Sequence, residues 1–376
     1  MKTLLLACAG AVTASLLSAG ACVAAAGATP AGAAHACQPG AYVLISAARV
    51  TPVNFVTRKA GKPIVLPMPG IRRTGGAIVI TPDGKTAYVN NHSNEGRWLT
   101  SINTTTNKPG KPLPLLDYQY GLMTFGPNGK SLYLGGAGVS LINPPASTIT
   151  KEITFPHTGF VNGLFLTARG TTLYAWSGGP SSAMLTPINT ATNTAGTGVA
   201  LPFNPFGVAI TPNGKTAYLS NWNKSTVVPV DLATGVAGTP IKPVGLQPDQ
   251  IVITPNGSTA YVEAVDSSIV TPISTRTNTV GKAIHVAGIM ALTPNGKTLF
   301  VQAAHSITPI NTTTNKAGKR IRISNAEDMV FTPDGKTAWV ISGNSIVPIN
   351  VATGRVGKPI TVRGGPGAIA LKNCPA

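Results

Sequence analysis

Past residue 40 the chain alternates apolar and polar positions in short runs, each ended by a cluster of glycine, proline, asparagine or aspartate. A two-residue period interrupted this often marks strands joined by tight turns. No stretch beyond the first 36 residues sustains a helical spacing of apolar positions. The pattern predicts an all-β chain.

The alternation itself repeats. Seven segments align on a glycine, at Gly84, Gly129, Gly170, Gly214, Gly257, Gly296 and Gly335, with intervals of 45, 41, 44, 43, 39 and 39 residues. The clearest copies read "ITPDGKTAYV" (80–89), "ITPNGKTAYL" (210–219), "LTPNGKTLFV" (292–301) and "FTPDGKTAWV" (331–340). A period of this length in a β-rich chain is that of one four-stranded propeller blade. Proline presets the turn, Asp or Asn tolerates its geometry, and glycine takes the positive φ that other residues resist. The copy "LTARGTTLYA" (166–175) loses the proline and the acid but keeps Gly170.

A second module follows each hairpin, as in "LTSINTTTNKPGKPL" (99–113), "VVPVDLATGVAGTPI" (227–241) and "ITPINTTTNKAGKRI" (307–321). It predicts the third strand, a polar turn and an outer fourth strand. Lys and Pro in that outer strand, as at Lys62-Pro63, Lys111-Pro112 and Lys358-Pro359, suit an edge that must not pair with a neighbour. Pro187, Pro229, Pro272, Pro309 and Pro348 fall in the third strand, where they are expected at strand starts or bulges. The second module occurs eight times, because "VTPVNFVTRKAGKPI" (50–64) precedes the first hairpin. "AYVLIS" (41–46) is a second strand without a first, and "GAIAL" (367–371) a first strand without a second. The two ends are therefore expected to share the last blade, which gives eight blades.

The repeated "TPDGKTAYV" hairpin, the tetrapeptide Tyr88-Val89-Asn90-Asn91 and the "INTATNT"-type segments resemble the YVTN-type β-propeller repeat family of secreted and cell-surface proteins. The resemblance spans about residues 41–371 and implies the fold. It leaves activity open, since propellers host binding, scaffolding, lyase, lactonase and redox roles. Family members more often suggest seven blades, which stands as the alternative to the count of eight.

The first 36 residues have the layout of a secretory leader: Lys2, an apolar run from Leu4 to Leu17, and an alanine-rich tail. Ala34-His35-Ala36 offers a cleavage site, with Ala24-Ala26 and Ala26-Ala28 as earlier choices; a lipoprotein reading would cut before Cys22, but Ala19-Gly20-Ala21 lacks the usual leucine. Residues 37–376 are then expected to form one exported, monomeric propeller domain. No later apolar run is long enough for a membrane span. Cys37 and Cys374 remain at the two extremes, and in an oxidising compartment they are expected to form a disulfide beside the shared blade.

Strand order sorts the loops onto two faces. The first-to-second and third-to-fourth strand turns share one face, here the turn face. It takes about 20 of the 29 Lys and Arg, opposed by Asp83, Glu152, Asp231 and Asp334. This one-sided surplus within a formal net charge of +18 suits attachment to a cell-wall or other anionic polymer, or simply a solvated cap. No aromatic residues interleave with the lysines as a base-stacking surface requires.

The remaining loops form the opposite, more variable loop face. Candidate binding residues there are Arg72, Arg73, His92, Glu95, Trp98, Tyr118, Tyr120, His157, Trp176, Trp222, Asp249, Glu263, Asp266, Glu327 and Asp328. Aromatic platforms beside carboxylates can hold a glycan, a peptide or a small molecule; the competing reading buries the aromatics between blades and leaves the acids in solvent. HExxH, GxSxG and GxxxxGK[ST] are all missing. His92 with Glu95, or His157 with Asp117, are the candidate base pairs. Asp249, Glu263, Asp266, Glu327 and Asp328 show no calcium-loop spacing. No metal or cofactor is expected. The leading expectation is a secreted non-catalytic propeller that binds a cell-envelope polymer, protein or small ligand on its loop face. The alternative is a lactonase-like hydrolase or lyase at the channel mouth.

Overall fold

A computed structural model describes residues 39–46, 49–67, 76–115, 122–127, 129–144, 147–155, 159–179 and 183–372. The expected leader and the expected disulfide partners Cys37 and Cys374 lie outside these residues. Eight antiparallel sheets make a ring, numbered here as blades 1–8 from the sheet that begins at Ile78. In seven of them the strands run outward from the axis in chain order. Blade 8 is shared by the two ends: Gly40–Ser46 pairs with Arg49–Asn54 on one side and with Ala368–Lys372 on the other. Its register runs from Gly40 opposite Lys372 to Leu44 opposite Ala368. The chain is an eight-bladed β-propeller, and the count of seven does not hold.

Alternation explains the packing. Each second strand turns odd and even side chains toward different neighbouring blades. Eight separate apolar clusters result, one in each wedge between blades. All seven repeated glycines have φ between 65 and 74°. Several do a second job across the wedge. A Cβ on Gly129, Gly170 or Gly296 would lie 2.8, 2.4 or 2.5 Å from the turn proline of the preceding blade.

The tyrosine of "TAYV" is a latch between blades. The Tyr42 hydroxyl donates to Asn107 Oδ1 at 2.5 Å and Tyr133 to Asn193 at 2.5 Å, while Tyr218 reaches Asn278 at 2.7 Å and Tyr261 reaches Asn315 at 2.5 Å. Each acceptor lies in the outer turn of the next blade and has φ of 54–57°. Where that turn carries Gly354 instead of asparagine, the facing residue is Phe300, which needs no acceptor. Trp339 stacks on Phe55 of blade 8 at 4.0 Å and 6°. Tyr261→Phe is expected to lower stability by about 1 kcal/mol, because Asn315 loses its donor. Denaturant midpoints of Tyr261→Phe, Asn315→Gly and the double variant measure the coupling; strictly additive losses would mean that no latch exists.

The third-strand prolines correct an expectation. They sit inside their strands rather than at starts or bulges: Pro229 pairs with Tyr218 within Thr226–Asp231, and Pro272 with Tyr261 within Ile269–Ser274. A residue in an antiparallel strand points its N and its C=O to the same neighbour. The Pro229 carbonyl accepts from Gly238 N at 2.7 Å, so its missing donor also faces the outer strand. There the outer strand is interrupted. In blade 8 it consists of Lys59–Ala60 and Ile64–Val65, with Gly61 against the Pro52 ring between them. Blade 4 reduces it to isolated bridges at Ala237 and Ile241. Blade 2, with Leu141 in place of the proline, has a continuous outer strand, Thr148–Ile153.

Candidate functional site

Three innermost strands bulge near their loop-face ends. The register skips between Val161 and Gly163 in blade 3, between Pro248 and Ile251 in blade 5, and between Ala326 and Met329 in blade 7. A bulge adds a residue without a cross-strand partner and re-aims its neighbours. The added residues are polar: Asn162, the pair Asp249-Gln250 and the pair Glu327-Asp328.

Blade 5 fixes its bulge on both sides. Ser220 Oγ of blade 4 donates to the Asp249 carbonyl at 2.9 Å and accepts from Gly207 N at 2.6 Å. A Cβ on Gly207 would fall 2.0 Å from that carbonyl, so the connector passes only as glycine. On the other side, Gln250 Oε1 accepts from Met290 N at 2.6 Å and its Nε2 donates to Met290 O at 3.0 Å. Glu263 lies on the adjacent strand, on the same side as Tyr261 and hence toward blade 6, and is 6% exposed. Burial and then the neighbouring Asp249 push its carboxyl up to about 7, offset in part by the Gly288 N–H. Burial alone raises Asp249. Asp249 and Glu263 thus form a pair in which the buried member keeps its proton to near neutrality.

The sign of the pH effect follows. A carboxyl whose folded pKa exceeds its unfolded value binds more protons in the folded state, so stability is highest at acidic pH and falls as pH rises toward about 7. Asp328, raised to about 6, adds to the same trend. Glu263→Gln is expected to match the parent at pH 5 and to be more stable at pH 8 by about 1–2 kcal/mol, after discounting for solvent screening. Thermal unfolding at the two pH values checks this. An equal offset at both would show that Glu263 does not titrate in this range.

Beside the pair lies an apolar arc. The rings of Phe206 and Trp222 stack at 4.6 Å and 24° on the loop face of blade 4. Phe206 is 54% exposed, and Leu246, Val265 and Ile289 extend the exposed apolar surface across blades 5 and 6. The arc is built, not loose. Leu246 N donates to Ser267 Oγ at 2.7 Å and Val265 N to Gln247 O at 3.2 Å, tying connector to loop.

The other candidates divide. Arg72, Arg73, Tyr118, Tyr120, His157 and Asp117 lie outside the described residues. Trp176 is buried in the wedge between blades 3 and 4, and Trp98 packs half-buried against the wedge between blades 8 and 1; both indole N–H groups are buried without a partner. Trp176 is a core residue, which corrects its reading as a surface platform, whereas Trp98 keeps part of its ring at the surface. Asp328 is also structural: 2% exposed, it accepts from Met329 N at 2.9 Å and from Ile369 N at 3.0 Å, joining blade 7 to the closing strand of blade 8. Glu327 and Asp266 are exposed, as is Glu95 in the hairpin loop of blade 1. His92 is half-buried, and burial with Arg97 opposite lowers its pKa. Among the described residues no three His, Cys, Asp or Glu side chains gather as metal ligands. No helix of the structure is long and apolar enough to cross a membrane.

Sequence reading passed over Phe206, Leu246, Val265 and Ile289. For Phe206 and Leu246 the signal was a large apolar residue within a connector rich in Pro, Gly and polar residues; Val265 and Ile289 carried none.

Neither a family model nor a curated protein matches the chain. Solved structures do. One described as "Dihydro-heme d1 dehydrogenase NirN in complex with DHE" superimposes with a TM-score of 0.70 at 14% identity, covering 92% of this chain and 77% of that one. Kuenenia stuttgartiensis hydrazine synthase gives 0.55 at 20% identity, covering 77% and 96%. A functionally unknown protein from Desulfotomaculum acetoxidans DSM 771 gives 0.54 at 16% identity, covering 89% and 98%. At such identities the likeness establishes the propeller fold alone.

Proposed function

We propose that this chain is an exported, non-catalytic propeller that binds a ligand through the loop-face arc of blades 4–6. The stack of exposed Phe206 on half-buried Trp222 carries the reading. Two stacked rings, with Phe206, Leu246 and Val265 exposed on the same face, leave apolar area in water that a ligand would cover. Asp249 at the edge of the arc supplies an oriented polar group, because its backbone is held by Ser220 and its neighbour Gln250 is held to blade 6. The leader and the mostly polar surroundings favour a cell-envelope glycan, peptide or small ligand. Trp222→Ala is expected to weaken binding of ligands retained from a glycan and peptide panel by about tenfold to a hundredfold, the loss of one aromatic anchor. Unfolding temperature should stay near that of the parent. Undiminished retention by Trp222→Ala would reject the arc as the site.

The Asp249–Glu263 pair supports a second reading, a hydrolase or lyase that uses Glu263 as its general acid. A carboxyl titrating at about 7 suits that role. Turnover of ester or lactone substrates that is lost in Glu263→Gln but kept in Trp222→Ala would favour this reading over the first.

A further inference from the structure

We propose that the turn face is a docking surface for a flexible linear phosphate polyanion, separate from the loop-face arc. The hairpin turns explain why. In four of them an Asx side chain accepts from the backbone N–H of a lysine two residues on: Asp83 from Lys85 at 3.0 Å, Asn213 from Lys215 at 3.0 Å, Asn295 from Lys297 at 2.9 Å and Asp334 from Lys336 at 3.0 Å. The turn uses the lysine's backbone, not its amine. Blade 5 proves the point, since Ser258 N makes the same bond to Asn256 at 3.1 Å. A serine therefore closes this turn, yet the other six hairpins carry an exposed cation: Lys85, Lys130, Arg169, Lys215, Lys297 and Lys336.

The acids of this face offset them only in part: Asp334 Oδ2 lies 4.0 Å from Lys336 Nζ, and four acids face about 20 cations. Asp83 and Asp334 are tied to the Thr81 and Thr332 hydroxyls of their own turns, each at 2.6 Å. Asp231 accepts from Ala233 N and Thr234 N, and Glu152 from Ser140 Oγ. Three of the Asx positions, Asn213, Asn256 and Asn295, do the same work with a neutral amide. So the turn closes with a neutral acceptor in blades 4, 5 and 6, and in blade 3 with Arg169 at the Asx position; it needs neither a negative nor a positive charge. The set of cations is unexplained by folding. Solubility explains it poorly, because added acids serve solubility better than added lysines.

Geometry selects the partner. A hairpin cation on six of the eight blades places the charges on an arc around the axis rather than along a groove. A flexible chain can follow a curve, whereas a straight duplex meets only part of it, and among the described residues no exposed aromatic rings lie between the cations to stack bases. Phosphate groups on such a chain would release bound counterions as they meet the cations, giving steep salt dependence.

The test uses long-chain inorganic polyphosphate as probe and the full chain as protein. Affinity is measured between 50 and about 300 mM salt for the parent and for a variant with the six hairpin cations replaced by serine. Ser258 predicts that this variant folds, and circular dichroism with a melting curve confirms it. Binding is expected to fall steeply with salt in the parent, and the variant to bind at least about tenfold more weakly with a shallower slope. Trp222→Ala should bind polyphosphate like the parent, which separates this surface from the arc. Salt-independent binding, an unchanged affinity in the folded six-serine variant, or tighter binding of a DNA duplex than of polyphosphate would each overturn the proposal.

Discussion

A chain that ends at Arg363 is expected to lose its cooperative unfolding transition. The missing piece contains Ala368–Lys372, the innermost strand of blade 8, and with it five register pairs to Gly40–Ser46. Ala368 and Ala370 belong to the wedge between blades 8 and 1, and Ile369 to the wedge between blades 7 and 8. Removing them opens two of the eight cores at once. It also strips Asp328 of the Ile369 N–H and leaves a buried carboxylate half-satisfied. Burial of Ile369 alone accounts for about 2 kcal/mol, and the lost ladder and exposed Tyr42, Val43 and Leu44 add several more. Against a total stability of about 5–15 kcal/mol, the ring does not survive. A synthetic peptide covering 364–376, added in trans, is expected to restore the transition. An unchanged melting curve for the truncated chain would mean that the circle closes without its last strand.

The second large effect concerns a single methyl group. Gly296→Ala is expected to destabilise the protein by about 3 kcal/mol. Part of the cost is the positive φ of 66°, which alanine adopts only with a penalty of about 1 kcal/mol. The remainder comes from the wedge, where the new Cβ would sit 2.5 Å from Pro255 Cδ and force the turns of blades 5 and 6 apart. Gly343 separates the two terms. It has φ of 53° and nothing within 4 Å of an added Cβ, so Gly343→Ala should lose about 1 kcal/mol only. Equal losses in the two variants, by denaturant midpoint, would show that the interblade contact contributes nothing.

These two effects mark what was legible in the sequence. The hairpin chemistry is local, complete within ten residues, so Gly84 through Gly335 announced both the turns and the repeat. Counting the modules then exposed the unpaired strands at 41–46 and 367–371, because an antiparallel sheet cannot leave a central strand without its partner. The interblade contacts were less legible, since they join residues about 50–60 apart whose pairing depends on the wedge. The tyrosine latch is of this kind: Tyr261 and Asn315 each look ordinary alone. Alternation did contain one unused clue. Trp176 lies two residues after Tyr174 and so faces the same wedge, whereas Trp222 falls past the end of its strand at Asn221. That difference buries the first and leaves the second at the surface. The third-strand prolines misled because a strand interior ordinarily donates to both sides; here the outer strand is broken where the donor is missing.

The loop-face arc can be tested with the tryptophans themselves. The chain contains four, Trp98, Trp176, Trp222 and Trp339, of which Trp176 and Trp339 are buried and Trp98 packs against a core. With 5-fluorotryptophan incorporated, fluorine NMR reports each ring separately. A glycan or peptide that binds is predicted to shift the Trp222 signal and leave Trp176 and Trp339 in place. Saturable binding that moves another tryptophan while Trp222 stays silent would contradict the assignment of the site to blades 4–6.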